Sequence, residues 1–428
     1  MTARKHLKAR IRVRMARTGE RYVTARRHVV GEEQGHAADH GYELRGGVHP
    51  DTAALANVLA HHGFGHDGAP LSEAMVLGIG GGLGAGYILW EFKAHRPKAI
   101  LVLGYRNRWQ YPDRWMSSAL ERLDVPAAHH ETGGAKTAAA QLDAALEAGR
   151  PALATIDRES IGYWHLPPEM NGFGGYPVVV YAEHGGRVHV DDRGLAPLTV
   201  DRATLDAARG RVGSYKNRLT VPEPDRMEIG ADRLREAVRA GLADAAEHLA
   251  ASSDSFGLPA WRKWAGMMTS TRNAKAWPRV FADGTGLAGA LLSTYEDIQP
   301  VGHYGGHLRD LYADFLDEAA ALLDEPRLEA SATAWREAAA GWRDLAETAL
   351  PEARFGRLRE LMADVHTSVV EHGDAGAPQA AAAAAELWGL RRELDETAAI
   401  DTAELFPAMG ERLQAIYERE TEAAARLT

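Results

Sequence analysis

Residues 46–63 read GGVHPDTAALANVLAHHG, with a histidine, a proline, an aspartate and a threonine at the head of an apolar-periodic run. Asp51 and Thr52 are the two side chains there that could serve as nucleophiles. Asp51 has a stronger structural use, because an aspartate opening a helix accepts from unpaired backbone N–H groups for roughly 0.5–2 kcal/mol, and Pro50 before it suits a helix start. Further on, GIGGGLGAG sets glycines at 78, 80, 81, 82, 84 and 86. The block has no Walker lysine and follows no strand pattern, so a bound nucleotide is a weak reading. Its glycines permit close packing; as a site, Gly80, Gly81 and Gly82 would offer a nest of N–H groups to a substrate carbonyl. Histidines at 61, 62 and 66 and at 129 and 130 suggest metal ligands. Adjacent histidines on a helix point to different faces, however, so a metal would need ligands from elsewhere. Neither a metal nor a cofactor is expected. The chain contains no cysteine, which removes disulfides, thiolate metal sites and a cysteine nucleophile together.

A chain of 428 residues is long enough for two domains with a core each. It has no apolar run near the roughly 18–20 residues that cross a bilayer, and its basic start lacks the apolar core of a secretory signal. No membrane contact and a cytoplasmic location are therefore expected. Short β-branched runs alternate with helical patterns up to about residue 225. Strands are predicted for 98–105, 150–157, 176–192 and 195–201, the third folded into a hairpin at Gly185-Gly186. SALERL and TAAAQLDAALEAG supply helices between them. LTVPEPDRMEIGADRL, with Pro222, Glu223 and Pro224, reads as a linker. From about 230 only helical periodicity remains, including the alanine-rich PQAAAAAAELWGLRRELDE. Trp261, Trp264 and Trp277 suit a bundle core better than a base-stacking platform. The organisation expected is a basic helical arm over 1–35, an α/β domain over 36–225 and an all-α domain over 226–428.

Several of these stretches carry a resemblance. GGVHPDTAALANVLAHHG, LSEAMVLGIGGGLGAGY, GRPALATID and FGGYPVVVYAEHGGRVHVDD together resemble the N-terminal domain family of butirosin biosynthesis protein H. WRKWAGMM, NAKAWPRVF and GGHLRDLYADFLDEAAALL resemble the helical domain of unknown function that often follows it. The resemblance spans roughly residues 40–350 and implies an α+β, papain-like, cysteine-peptidase-related fold for the first domain. It also implies passage of an acyl group from an acyl carrier protein thioester to an amine. Two positions depart from the family pattern: its cysteine directly after the histidine of VH is Pro50 here, and its histidine before the strand is Tyr176. A helix start favours a thiolate through its partial positive charge, chemistry that proline cannot perform. Asp191 matches the place of the orienting acid. The site so implied comprises His49, Tyr176 and Asp191, with Asp51, Gly80, Gly81 and Gly82 touching substrate. His49 would either act as base or only hydrogen-bond to nearby backbone, since a thioester is already activated and needs a held amine, a base and oxyanion donors. The function expected is a cysteine-independent acyltransferase or amide-forming enzyme of specialised metabolism. The alternative is a catalytically degenerate member that binds a carrier protein or small metabolite.

Residues 1–30 hold ten Lys or Arg and one acid, Glu20, against a strongly acidic remainder. They read as two short helices broken at Thr18-Gly19, resting on the chain's own acidic surface or on an acidic partner. An acyl carrier protein suits the expected function better than nucleic acid, and the amine acceptor is a small molecule. If the arm recruits the carrier, deleting residues 1–30 weakens carrier binding at low salt more than at high salt, since exposed charges are screened within about 8–10 Å at physiological ionic strength. Binding titrations at two salt concentrations check this. Equal affinity with and without the arm at both would remove the arm from recruitment.

Overall fold

The computed structural model describes residues 40–91, 99–104, 111–299, 308–397 and 400–427; the basic arm lies outside them. Helix α1 (Pro50–His61) is buried on almost every face from Thr52 to Leu59 and packs on α2 (Glu73–Ile79). Between them β1 (Gly65–His66) and β2 (Ala69–Pro70) form a short hairpin turned at Asp67-Gly68, both at positive φ. The main sheet has six strands: β5 (Ala127–His130), β6 (Ala152–Asp157), β7 (Gly175–His184), β8 (Arg187–Asp191), β9 (Leu198–Asp201) and β10 (Leu219–Pro222). Their order is β5-β10-β6-β7-β8-β9, and every ladder is antiparallel. Gly185 and Gly186, at φ 58° and 78°, make the primed turn between β7 and β8 that the sequence calls for. Helices α3 (Tyr111–Arg122), α4 (Ala135–Glu147), α5 (Arg158–Ile161) and α6 (Arg202–Gly210) complete this α/β region.

The predicted strand at 98–105 is present as β4 (Ala99–Leu103), which pairs with β3 (Tyr87–Glu91) in a ribbon separate from the main sheet. One expectation needs correction. The stretch read as linker begins with β10, a fully buried strand inserted between β5 and β6. Proline misled the reading because it is excluded only where its missing N–H is needed; Pro222 closes β10 opposite Ala127, at the strand's end.

After residue 230 no strand occurs among the described residues. The chain there forms α7 (Ala231–Leu249), α8 (Pro259–Thr269), α9 (Trp277–Val280), α10 (Leu287–Ile298), α11 (Leu308–Leu323), α12 (Arg327–Ala349), α13 (Glu352–Val370), α14 (Ala377–Thr397) and α15 (Thr402–Ala425). Trp261, Trp264 and Trp277 are fully buried in its core together with Trp335 and Trp342. A carboxylate lies among them. Glu420 of α15 accepts from Trp342 Nε1 (2.6 Å), Trp261 Nε1 (2.9 Å) and both Nε and Nη2 of Arg309 (2.7 and 3.0 Å). Four donors, one pair of them a guanidinium fork, meet the cost of desolvating that charge.

The glycine-rich block is where the two regions close on each other. Helix α2 packs on α7 and α11, and a Cβ at Gly78 would stand 2.2 Å from the Phe315 ring. A Cβ at Gly80 would meet Trp115 at 2.1 Å, and one at Gly82 would meet Tyr312 at 2.5 Å. Gly241 of α7 in turn approaches the Gly78 carbonyl so closely that its own Cβ would fall 2.1 Å away. One hydrophobic core runs through both regions as a result. Gly78→Ala should destabilise the protein by roughly 1–3 kcal/mol through overpacking. Gly266→Ala, in α8 with nothing within 4 Å of the added carbon, should instead stabilise it by up to about 1 kcal/mol. Urea unfolding of the two variants reads both signs.

Candidate functional site

The start of α1 is capped from a distance. His49 holds the N-cap position in extended geometry (φ −123°, ψ 139°), without a side-chain cap of its own. Glu73, at the start of α2, accepts from the backbone N–H of Val48 (2.8 Å) and of His49 (2.9 Å) and from the Thr52 hydroxyl (2.6 Å). Burial raises the Glu73 carboxyl above its ordinary range against these three bonds and the nearby Arg193 charge. Asp51 is therefore not the cap expected of it. It sits one residue inside the helix, its carboxylate 3.5 Å from Nδ1 of His49, and the imidazole is 5% exposed.

From this capped start a buried polar network runs to the sheet. Arg193, at φ 60°, donates from Nη1 to the Val48 carbonyl (3.1 Å) and from Nη2 to the Tyr176 hydroxyl (3.1 Å). Tyr176 on β7 donates in turn to Asp192 Oδ1 (2.9 Å), while Asp192 Oδ2 accepts from the Tyr163 hydroxyl and the Trp164 indole, each at 2.8 Å. The Arg158 guanidinium lies over both the Tyr176 and Trp164 rings, at 4.6 and 4.8 Å. Burial, with the Asp192 charge adding to it, pushes the Tyr176 phenol upward, so it stays a donor at neutral pH. Burial works against the Arg193 charge, but Tyr176, Asp192 and Glu73 outweigh it and raise the group.

Arg193 thus links the chain at Val48, next to His49, to Tyr176, whereas Asp191 faces elsewhere. It accepts from Tyr42 (2.8 Å), Asn57 of α1 (3.1 Å) and the Gly194 N–H (2.9 Å), and burial raises its carboxyl. Asp191 ends β8, and Asp192, in the bend just past it, is the acid that reaches Tyr176. Gly80, Gly81 and Gly82 are buried, and Gly80 and Gly82 abut Trp115 and Tyr312; they form a packing seat, not a surface a substrate meets. Glu73, Asp192 and Arg193 escaped sequence reasoning, although SEAM and DDRG display them, because the partner that defines each lies far along the chain.

The network ends at a narrow cleft of about 20 Å³ between the two regions. Trp164 and Leu166 line it from the α/β side, and Glu296 (α10), Met362 and His366 (α13) and Trp388 (α14) from the helical side. The His366 ring lies 6.3 Å from that of Trp164. Burial first, then the Arg193 and Arg158 charges against the opposing Asp192, bring His366 down to about 4, so it is unprotonated at neutral pH. Nothing in the surrounding sequence marks this lone histidine. A separate group, His66, Asp67 and Glu228, sets one ligand atom each within 4.8 Å of the others on the surface, the His66 Nδ1 being 2.9 Å from the Ile229 carbonyl oxygen.

Residues 49–193 match the family model of Butirosin biosynthesis protein H, N-terminal, and residues 204–367 match a Domain of unknown function (DUF4872). No curated protein matches the chain. The matched segment begins at His49 and ends at Arg193, and the bond from Arg193 to the Val48 carbonyl ties those two ends together. His366 belongs to the second match. Tyr176→Phe removes a hydroxyl that donates to Asp192 and accepts from Arg193, both buried, and should cost about 1–3 kcal/mol. Thermal unfolding of this variant measures the loss; an unchanged transition would show that the network contributes nothing to stability.

Proposed function

We propose that the protein serves butirosin-type specialised-metabolite biosynthesis by forming an amide without a cysteine, through direct attack of an amine on a carrier-bound thioester. The observation that carries this reading is His366, a neutral imidazole facing a cleft between the two family-matched regions, next to the Tyr176–Asp192–Arg193 network. In the step proposed, the amine nitrogen bonds to the thioester carbon, His366 takes the proton that nitrogen releases, the C–S bond breaks, and the proton passes to the departing thiolate. The papain-like arrangement that the resemblance implies would set a helix-start nucleophile against a strand histidine; α1 packs on β7, and this chain has Pro50 and Tyr176 at those two positions. His49, at 5% exposure and tied to the capped turn, is a weaker base candidate than His366.

A second reading is favoured by that same burial: with Pro50 and Tyr176 in the expected catalytic positions, the protein would bind a carrier or metabolite without turnover. Acyl transfer from a loaded acyl carrier protein to a small amine, followed by mass spectrometry of the amide, separates the two. His366→Ala should lower the rate by roughly 10² or more with an unchanged unfolding transition, His49→Ala should cost less, and iodoacetamide should have no effect. Wild-type turnover in His366→Ala would exclude it as the base. Carrier binding without any transfer by the wild-type protein would establish the second reading.

A further inference from the structure

The hairpin between α1 and α2 carries two of three side chains that meet at one surface point, and the third lies 161 positions beyond Asp67. Gly65 donates its N–H to the Met227 carbonyl (3.0 Å), and the Ile229 N–H donates back to the Gly65 carbonyl (2.9 Å). This parallel bridge lays residues 227–229 along β1 and sets Glu228 beside the Asp67-Gly68 turn. One ligand atom each from His66, Asp67 and Glu228 then lies within 4.8 Å of the others. The imidazole is oriented from outside the group. A carbonyl oxygen only accepts, so the 2.9 Å contact of His66 Nδ1 with the Ile229 oxygen puts the proton of the neutral ring on Nδ1 and the lone pair on Nε2. Metal-binding histidines are fixed in this way, by an acceptor at the nitrogen that does not ligate. Nε2 stands 3.7 Å from Asp67 Oδ2, too far for a hydrogen bond, and a lone pair facing a carboxylate repels it unless a cation lies between them. Among the described residues no lysine or arginine pairs with Asp67 or Glu228.

We infer that His66, Asp67 and Glu228 bind a divalent zinc-like cation, which clips the α1–α2 hairpin to the segment leading into α7. One imidazole nitrogen with two carboxylate oxygens suits zinc, whereas magnesium and calcium prefer oxygen alone. Donors around a tetrahedral zinc with bonds of about 2.0–2.1 Å stand about 3.3 Å apart. From 3.7 Å, and from 4.8 Å at most, that spacing is reached by rotating carboxylates, and the Asp67 side chain is 87% exposed. Water completes the fourth position. A metal at His66 needs ligands from elsewhere in the chain, and Glu228, just before α7 (Ala231–Leu249), supplies one. The clip is independent of the amide-forming reading and acts on the joint between the two regions.

The test is calorimetric titration of the untagged full-length protein, stripped with EDTA, with zinc, magnesium and calcium chlorides. Zinc should bind at least about tenfold more tightly than either other ion. Glu228→Gln and Asp67→Asn should each weaken zinc by about tenfold or more; the asparagine still tolerates the left-handed backbone at φ 50°. His184→Ala, which removes an exposed histidine outside the group, should leave zinc affinity unchanged. Zinc should also raise the unfolding temperature of the wild-type protein, and raise that of Glu228→Gln much less. No zinc binding by the wild-type protein, equal affinity for zinc and magnesium, or wild-type zinc affinity in Glu228→Gln each overturns the inference. The first two outcomes need no variant, so a poorly folding Glu228→Gln does not shelter it.

Discussion

The arrangement around the cleft depends on one buried guanidinium. Arg193 is withdrawn from water, yet it bonds at once to the chain just before α1 and to the hydroxyl of Tyr176 on β7, and lies in an ion pair 3.6 Å from the carboxylate of Asp192. A buried charge of this kind is tolerated only when its partners are complete, and removing one of them typically costs about 3–5 kcal/mol. The left-handed backbone at Arg193 aims the side chain inward, and Gly194 continues the turn by donating to Asp191. Adjacent acids consequently do different work: Asp191 fastens Tyr42 and α1 to the sheet, while Asp192 organises the aromatic side chains at the cleft.

The second constraint lies in the helical region. Arg309, while gripping Glu420, also reaches the carbonyl of Gly84 at 3.3 Å, so the ion pair at the centre of the tryptophan cluster is wired to the end of the glycine-rich block. Close glycine contacts at 78, 82 and 241 then leave little room for the two regions to shift against each other. A cleft whose walls come from both regions keeps its shape only under such a restraint. Trp388 adds a clasp at its rim, donating from Nε1 to the His165 carbonyl at 2.9 Å.

Local signals in the sequence proved legible and distant ones did not. The 3.6-residue period gave α7 its observed span, alanine content kept α14 helical, and Gly185-Gly186 announced the β7–β8 turn. Each of these depends on residues within a turn or two. Glu73 caps a helix that begins more than twenty residues before it, and His366 meets Trp164 from about two hundred residues away. No periodicity reports such pairings. The glycine-rich block was legible as chemistry or as packing, and only the aromatic rings lying against it, supplied by α3 and α11, distinguish the two. Strand β10 was hidden by its own proline and by its brevity.

That strand also bears on how the chain acquires its fold. Among the described residues the only sheet neighbour of β5 is β10, and β10 in turn separates β5 from β6. The segment that matches the N-terminal family ends at residue 193, before β9 and β10 have been made. During synthesis, β5 therefore emerges with nothing to pair with and β6 with a bare edge, and they wait for roughly ninety and roughly sixty further residues, respectively, before β10 closes the sheet. The span recognised by sequence similarity is consequently not a unit of folding. Its sheet is finished by the segment that leads into the helical region.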